Sequence, residues 1–554
     1  MAEILKKYWP ESLPVQIDYR LGKEPLHQYL KQHAKNMPDQ TAYHYYGAQI
    51  TWRQLDRHVD RFAQFLRTQG IEKGDRVGLY MQNCPQYIIA HYAAQRIGGI
   101  VAPLNPMYKE AELSFLIQEG GISAIVAGEE LLENLENSEG QTPDLRFVVT
   151  TNYSDFLPAE PVLALPPECS VPKKRQGDPF DLAEILNGAD LLEEDAKIDL
   201  DNDPALMVFT SGTTGRPKAA LLSFGNALFK TAATVEAYGI AKDERMLAVA
   251  PLCHIAGMVM GVNMPVYTGC ECVLLTRFIP QTAVDAIEQH RITSWYSIAP
   301  MNAAILAIPE IEKRDWSSLK TNMATSFGIA VTEELAQRWS GMTGGCSLFE
   351  AAYGLSETHT CDTFMPKDRI KYGSCGIATY ETEIRIIDPV TEEVMEAGQQ
   401  GEILVKNPGV FMGYFNRPDA TAETLRNGWV HTGDVGKLDD EGYLYFLGRT
   451  KEMIKSSGYS VFPEDVEALL NQHPAVLQSA VIGIPDAVRG ESVKAFIVLK
   501  PDLKGTISEQ EIMEWAKGYM SAYKTPREIV FLGQLPATSS GKILRRLLKE
   551  DQEG

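Results

Sequence analysis

The chain has 554 residues, of which 44% are hydrophobic, 23% charged and 9% aromatic, a composition that fits large packed cores and excludes disordered, fibrous and collagen-like classes. Its 73 acidic residues against 52 basic ones give a formal charge of −21, which excludes broad attraction to nucleic acid or an anionic membrane and confines any polyanion to a local basic pocket. Apolar runs are too short to span a bilayer, the first residues lack a secretory pattern, and eight scattered cysteines form neither a disulfide framework nor a zinc ribbon. A soluble, cytoplasmic protein with reduced thiols, no nucleic-acid partner and no transmembrane segment is therefore expected.

From the N-terminus, residues 41–46 read as a strand, and Thr51 caps a helix whose Leu55, Val59, Phe62 and Leu66 recur at helical spacing until Gly70. A strand at 76–80, a helix at 85–97 and strands at 100–104, 123–127 and 146–150 continue the alternation, which predicts α/β layers. Residues 157–179 carry six prolines and lead into an acidic run ending at Asp203, so a solvated surface excursion is predicted there. An apolar strand at 205–209 follows. Beyond a strand at 442–447 the pattern becomes compact: a helix at 463–472, strands at 478–484 and 492–499, a helix at 509–522 and a strand at 528–532. These residues predict a small terminal α+β domain of roughly a hundred residues, with its boundary at 449–452.

The segment carrying most chemistry is Phe209-Thr210-Ser211-Gly212-Thr213-Thr214-Gly215-Arg216-Pro217-Lys218, directly after the strand at 205–209. Its glycines permit close backbone approach, its hydroxyls donate hydrogen bonds and Lys218 supplies charge, which suits a polyphosphate. It is not a P-loop, because Pro217 precedes the lysine and Ala219 follows it. By composition alone, such a stretch is usually just a turn.

The complete string resembles the phosphate-binding signature of the adenylate-forming superfamily, which includes acyl-CoA synthetases, aryl-CoA ligases, luciferases and peptide-synthetase adenylation domains. Ala219 departs from the glycine common after that lysine. The resemblance recurs in order at Tyr353-Gly354-Leu355-Ser356-Glu357-Thr358, where Ser356 replaces the usual threonine, and at Gly401-Glu402-Ile403-Leu404-Val405 and Gly413-Tyr414-Phe415. It continues through Thr432-Gly433-Asp434, Gly448-Arg449-Thr450-Lys451 and the terminal Ser540-Gly541-Lys542.

The resemblance implies an α/β fold with a large multi-subdomain N-terminal domain, residues 1–449, and a smaller, mobile C-terminal α+β domain, residues 450–554. It implies that Thr210, Ser211, Gly212, Thr213, Thr214, Gly215 and Lys218 hold ATP phosphates, and that Tyr353 and Gly354 border adenine. Ser356 touches phosphate, Glu357 holds Mg²⁺ as a hard oxygen ligand, Asp434 accepts the ribose hydroxyls and Arg449 contacts nucleotide oxygens. Lys542 is the catalytic lysine, Lys451 the hinge, and Lys455, Gly458 and Tyr459 line the coenzyme A tunnel. His254 gates the passage between acyl pocket and tunnel, while Phe327, Gly328 and Ile329 border the pocket, where Phe327 and Ile329 add bulk that relatives usually lack.

The activity implied is an ATP-dependent acyl-CoA synthetase, a ligase of the long-chain fatty-acid–CoA type in lipid metabolism. Its partners are a carboxylic acid, ATP and coenzyme A, and a medium- or long-chain fatty acid is the first choice. An aryl-acid–CoA ligase or another adenylate-forming enzyme stays open, as does a non-catalytic nucleotide sensor or scaffold. Oligomeric state is open too, with a homodimer as one option.

Overall fold

The computed structural model describes residues 8–136, 144–174, 180–210, 217–327, 329–456, 459–486, 489–538 and 541–550. Among these, two seven-stranded sheets dominate the large N-terminal domain. One runs in the order Ser347–Glu350, Thr321–Thr325, Ser294–Ile298, Arg245–Ala248, Glu271–Leu274, Thr41–Tyr45, Ala48–Thr51. It is parallel except for the final hairpin. The other has a parallel centre formed by Pro204–Thr210, Ile100–Leu104, Arg76–Tyr80, Ile122–Gly128 and Phe147–Thr151, with antiparallel Lys218–Ser223 and Gly413–Tyr414 at one edge.

The helices form where the side-chain pattern requires them. Trp52–Thr68 begins with a reciprocal cap, in which Gln54 N donates to Thr51 Oγ1 at 3.2 Å and Thr51 N donates to Gln54 Oε1 at 2.9 Å, an arrangement that stabilises a helix by about 1 kcal/mol. Its Leu55, Val59, Phe62 and Leu66 are all buried. Pro85–Arg96 is buried on every side, as an apolar helix inside a large protein must be. Its Tyr87 and Tyr92 hydroxyls donate to the Leu252 and Val262 carbonyls, each at 3.1 Å, and Arg96 pairs with Asp56 at 2.8 Å and Asp60 at 2.6 Å.

An antiparallel sheet of Glu383–Ile387, Gly401–Lys406, Trp429–Leu438, Leu425–Arg426 and Leu444–Arg449 follows. The strand expected at 442–447 starts two residues later, because Asp439 Oδ1 accepts from Glu441 N at 3.0 Å and Tyr443 N at 2.9 Å, closing a turn completed by Gly442 at φ +83°. A separate sheet of Ile454–Ser456, Tyr459–Val461, Val476–Asp486, Gly490–Leu499 and Glu528–Phe531 builds the small C-terminal domain around its own apolar clusters. The helix expected to reach residue 522 ends at Tyr519, where Met520 turns extended.

The predicted solvated excursion is exposed or half-buried over most of its described residues but is anchored at a few points. Leu163 and Cys169 are buried, and Lys173 pairs with Asp155 at 3.0 Å and Asp181 at 2.8 Å. Asp195 likewise pairs with Lys31 at 2.7 Å, leaving Glu193 and Glu194 exposed as expected. Prolines fix the backbone of this segment without keeping its side chains in water. Among the described residues no helix is long and apolar enough to cross a membrane.

Candidate active site

The edge of one large sheet sets the first part of the site. Thr210 and Lys218 end neighbouring antiparallel strands and face each other in register. Ser211, Gly212, Thr213, Thr214 and Gly215 lie outside the described residues, as do Gly328 and Gly458. Lys218 Nζ stands 4.6 Å from the centre of the Tyr414 ring, a cation–π distance. The Tyr414 hydroxyl in turn donates to Glu357 Oε1 at 2.7 Å. Burial, and then the Glu357 carboxylate, push this phenol above its ordinary range.

Glu357 occupies the short 3-10 turn Ser356–Thr358, and its carbonyl accepts from Phe411 N at 2.8 Å. The turn is followed by His359, Thr360 and Cys361 at φ +56°, +56° and +49°, a run of left-handed non-glycine residues that persists only when surrounding contacts impose it. Thr360 N donates to Leu355 O and Asp362 N to Tyr353 O, both at 2.7 Å. A buried ion pair anchors the end of the run: Asp362 Oδ1 lies 2.6 Å from Lys230 Nζ and 2.8 Å from Asn407 Nδ2, with the Thr358 hydroxyl donating to the other oxygen. Lys230 and Asp362 side chains are both fully buried. Gly354 is required beneath this turn, because a Cβ there would lie 2.6 Å from Cys361 N.

Tyr353 is mostly buried, and its hydroxyl donates to Asp434 Oδ2 at 2.7 Å. Asp434 and Arg449 face each other across adjacent strands, placing Arg449 Nε 3.1 Å from Asp434 Oδ1. That oxygen is buried yet receives no aligned hydrogen bond, which leaves an acceptor for a ligand hydroxyl. Burial raises the Asp434 carboxyl against the opposing pull of Arg449.

Lys542, from the small domain, interacts electrostatically with Arg449 and Asp434. Its turn is closed by Thr538 N to Lys542 O at 2.8 Å and Gly541 N to Thr538 O at 2.9 Å. Gly541, at φ +81°, is seated so that a Cβ would lie 3.1 Å from Ile298 Cδ1 and 4.0 Å from Phe327 Cβ. Although the Lys542 side chain is exposed, the surrounding protein lowers its ammonium below the ordinary lysine range, an effect reinforced by Arg449 and opposed by Glu452 and Asp434.

His254 is likewise pushed down to about 4, by burial first and then by Lys542. Its ring meets Phe327 edge-on at 6.4 Å. It starts the helix Ile255–Met258, which continues as the π-helix Val259–Asn263, a local widening frequent at functional sites. Phe327 and Ile329 are half-buried. Cys253 is half-buried too, with its thiol pushed up to about 12 by burial.

The structure thus brings Lys218 and Glu357 together through Tyr414, and Tyr353, Asp434 and Arg449 together in the range of Lys542. Lys451 is exposed in the turn after Arg449. Lys455 and Tyr459 lie on the first hairpin of the small domain, where exposed Tyr459 stacks on Tyr523 at 4.4 Å. Sequence reasoning missed Lys230 and Asp362, although Lys230, directly after Ala227, Leu228 and Phe229 and before Ala232 and Ala233 in the helix Phe224–Tyr238, was a usable signal. It quoted Tyr414 without giving it a role, and nothing marked Glu350.

Residues 30–415 match the model for AMP-binding enzymes, and residues 465–542 match the AMP-binding enzyme C-terminal domain. A long-chain-fatty-acid–CoA ligase from Bacillus subtilis is 33% identical over 99% of this chain and 98% of its own. A feruloyl-CoA synthase from an Amycolatopsis species is 34% identical over 92% and 96%. The solved structure of o-succinylbenzoate CoA synthetase from Bacillus subtilis, in complex with its acyl-adenylate intermediate, superposes with a TM-score of 0.78 at 27% identity, covering 95% of this chain and 98% of that one.

Proposed function

Because the chain belongs to the AMP-binding enzyme family, we propose that it is an AMP-forming acid–thiol ligase that joins a medium- or long-chain fatty acid to coenzyme A. The observation that carries this reading is the convergence of Tyr353, Asp434, Arg449 and Lys542, contributed by both domains. A carboxylate has no adequate leaving group, so its oxygen first attacks the α-phosphorus of ATP, expelling pyrophosphate and forming an acyl-adenylate. The coenzyme A thiolate then attacks the acyl carbon and expels AMP. Neither step needs a protein nucleophile, and positioning with electrostatic stabilisation supplies the catalysis.

In this reading Lys218, Thr210 and the hydroxyl-rich connection hold the phosphates with Ser356, while Tyr353 and Gly354 border the adenine. Asp434 Oδ1, which pairs with Arg449 but takes no aligned hydrogen bond, accepts the ribose hydroxyls. Lys542 neutralises the charge that develops during adenylate formation. Glu357, whose Oε1 is already oriented by Tyr414, is a fitting hard-oxygen ligand for Mg²⁺, which when bound would add further neutralisation of phosphate charge. Lys451 serves as hinge between residues 1–449 and 450–554, and its rotation exchanges Lys542 for the face carrying Lys455, Gly458 and Tyr459. His254 gates the passage next to a pocket bordered by Phe327, Gly328 and Ile329. Eight free cysteines support a cytoplasmic site of action.

The fatty-acid choice is supported by the Bacillus subtilis relative over the whole chain. The feruloyl-CoA synthase supports an aryl acid as the second reading. Pyrophosphate exchange with a panel of fatty and aryl acids tests both. Exchange peaking on fatty acids of one length range is expected. A peak on aryl acids selects the second reading, and no exchange with any acid refutes the ligase assignment.

A further inference from the structure

Glu350 ends the strand Ser347–Glu350, three residues before Tyr353, and lies beside Ala324 of the neighbouring strand Thr321–Thr325. Its carboxylate accepts from Ser326 N with both oxygens, at 3.2 and 3.1 Å, and from the Ser326 hydroxyl. The same serine oxygen accepts from Val331 N at 2.8 Å. One side chain therefore ties both ends of the loop 326–331. The strand behind the loop is fixed as well, since the Tyr296 hydroxyl and Thr325 Oγ1 are 2.9 Å apart and Phe327 N donates to Thr325 O at 3.0 Å.

Phe327, directly after the tied serine, stands between two parts of the site. Its ring meets His254 edge-on, and its Cβ faces the backbone of Gly541 beside Lys542. Glu350 has no place in the nucleotide contacts described above. Burial pushes its carboxyl up to about 7 even though Ser326 favours the charged form.

We propose that Glu350 is a positioning residue for acid selection, holding the loop that carries Phe327 and Ile329 through Ser326. The proposal rests on the reading that these two side chains border the acyl pocket. Acid selection is carried by contacts that discriminate small differences in fit, where a methylene changes kcat/KM by roughly tenfold or more. Releasing the tie frees Phe327 to move against His254, so the preferred acid shifts while the ATP contacts stay in place.

The test measures kcat/KM across the acid panel, and KM for ATP, in folded Glu350→Ala, Glu350→Gln, Ser326→Ala and Phe327→Gly. Glu350→Ala should change the ratio between the best acid and its neighbours about tenfold with KM for ATP within about twofold. Glu350→Gln, which keeps an oxygen for Ser326 N, should retain the parental ranking. Glu350→Ala and Ser326→Ala combined should shift the profile no further than the larger single change, as expected for partners in one contact. A parental profile in Glu350→Ala overturns the proposal, and Phe327→Gly then decides what else falls: a changed profile there keeps the pocket reading, an unchanged one removes it. Equal shifts in Glu350→Gln and Glu350→Ala also overturn it, since positioning by an acceptor would be rescued. If Glu350→Ala does not fold, Glu350→Asp, one methylene short of the serine, decides by the same criterion.

Discussion

Lys230→Met tests whether the left-handed run beside Glu357 is imposed from below. The substitution keeps much of the side-chain length and removes the cation 2.6 Å from Asp362 Oδ1 in a fully buried pair. Removing one partner of such a pair costs about 3–5 kcal/mol, because the remaining charge is left without compensation. Asn407 and Thr358 still donate to Asp362, which places the expected loss toward the lower end. At about 2.1 cal/mol/K per residue, a domain of roughly 450 residues loses about 1 °C per kcal/mol, so Tm should fall by about 3–4 °C. Asp362 also fixes the backbone next to Thr358, so pyrophosphate exchange below the new Tm should fall as well, by about tenfold for a 1.4 kcal/mol loss of positioning. Thermal unfolding and exchange kinetics on the same preparation measure both. A variant with parental Tm and parental exchange would show that neither the pair nor the turn it anchors matters.

Lys542→Ala should abolish adenylate formation in pyrophosphate exchange while largely sparing thioester formation from supplied acyl-adenylate; equal losses in both assays would give the lysine another role. Lys451→Pro, which restricts φ at the hinge, and Gly458→Leu, which obstructs the tunnel, should show the reverse pattern, and parental acyl-CoA synthesis in both folded variants would refute domain rotation. Because the Lys542 ammonium is held below the ordinary lysine range, raising the pH should remove its charge, and with it exchange activity, earlier than for a free lysine. Lys542→Arg should move that alkaline fall upward, and an unmoved fall would assign it to another group. His254, pushed down to about 4, stays neutral around pH 7, so His254→Phe should leave the pH profile of exchange unchanged between pH 6 and 8.

The parallel core was readable because its strands are short apolar runs set off by glycine and by capped helices. Arg76–Tyr80 and Ile100–Leu104 fall where periodicity puts them, and Thr51 caps the helix it was expected to cap. The anchoring of the excursion at 157–179 was not legible, because proline content reports backbone restriction, whereas the burial of Cys169 depends on distant partners such as Tyr45 and Thr276. The site was legible as a set of motifs and illegible as a set of contacts. Tyr353 and Asp434 are 81 residues apart and meet through one hydroxyl, and no local pattern announces such a bond. Glu350 was invisible for the same reason, since its partner Ser326 lies 24 residues earlier on another strand end.

The ring of Tyr414 has a consequence for the resting site. Lys218 and Glu357 meet the same side chain, and had they closed into a salt bridge, an arriving anion would have to pull them apart. Here Lys218 rests on the aromatic face and Glu357 receives the hydroxyl of the same residue. Each charge is compensated by a neutral neighbour, and neither extinguishes the other. The tyrosine acts as a spacer that keeps the two charges apart and separately addressable, so binding begins from a site already set for it.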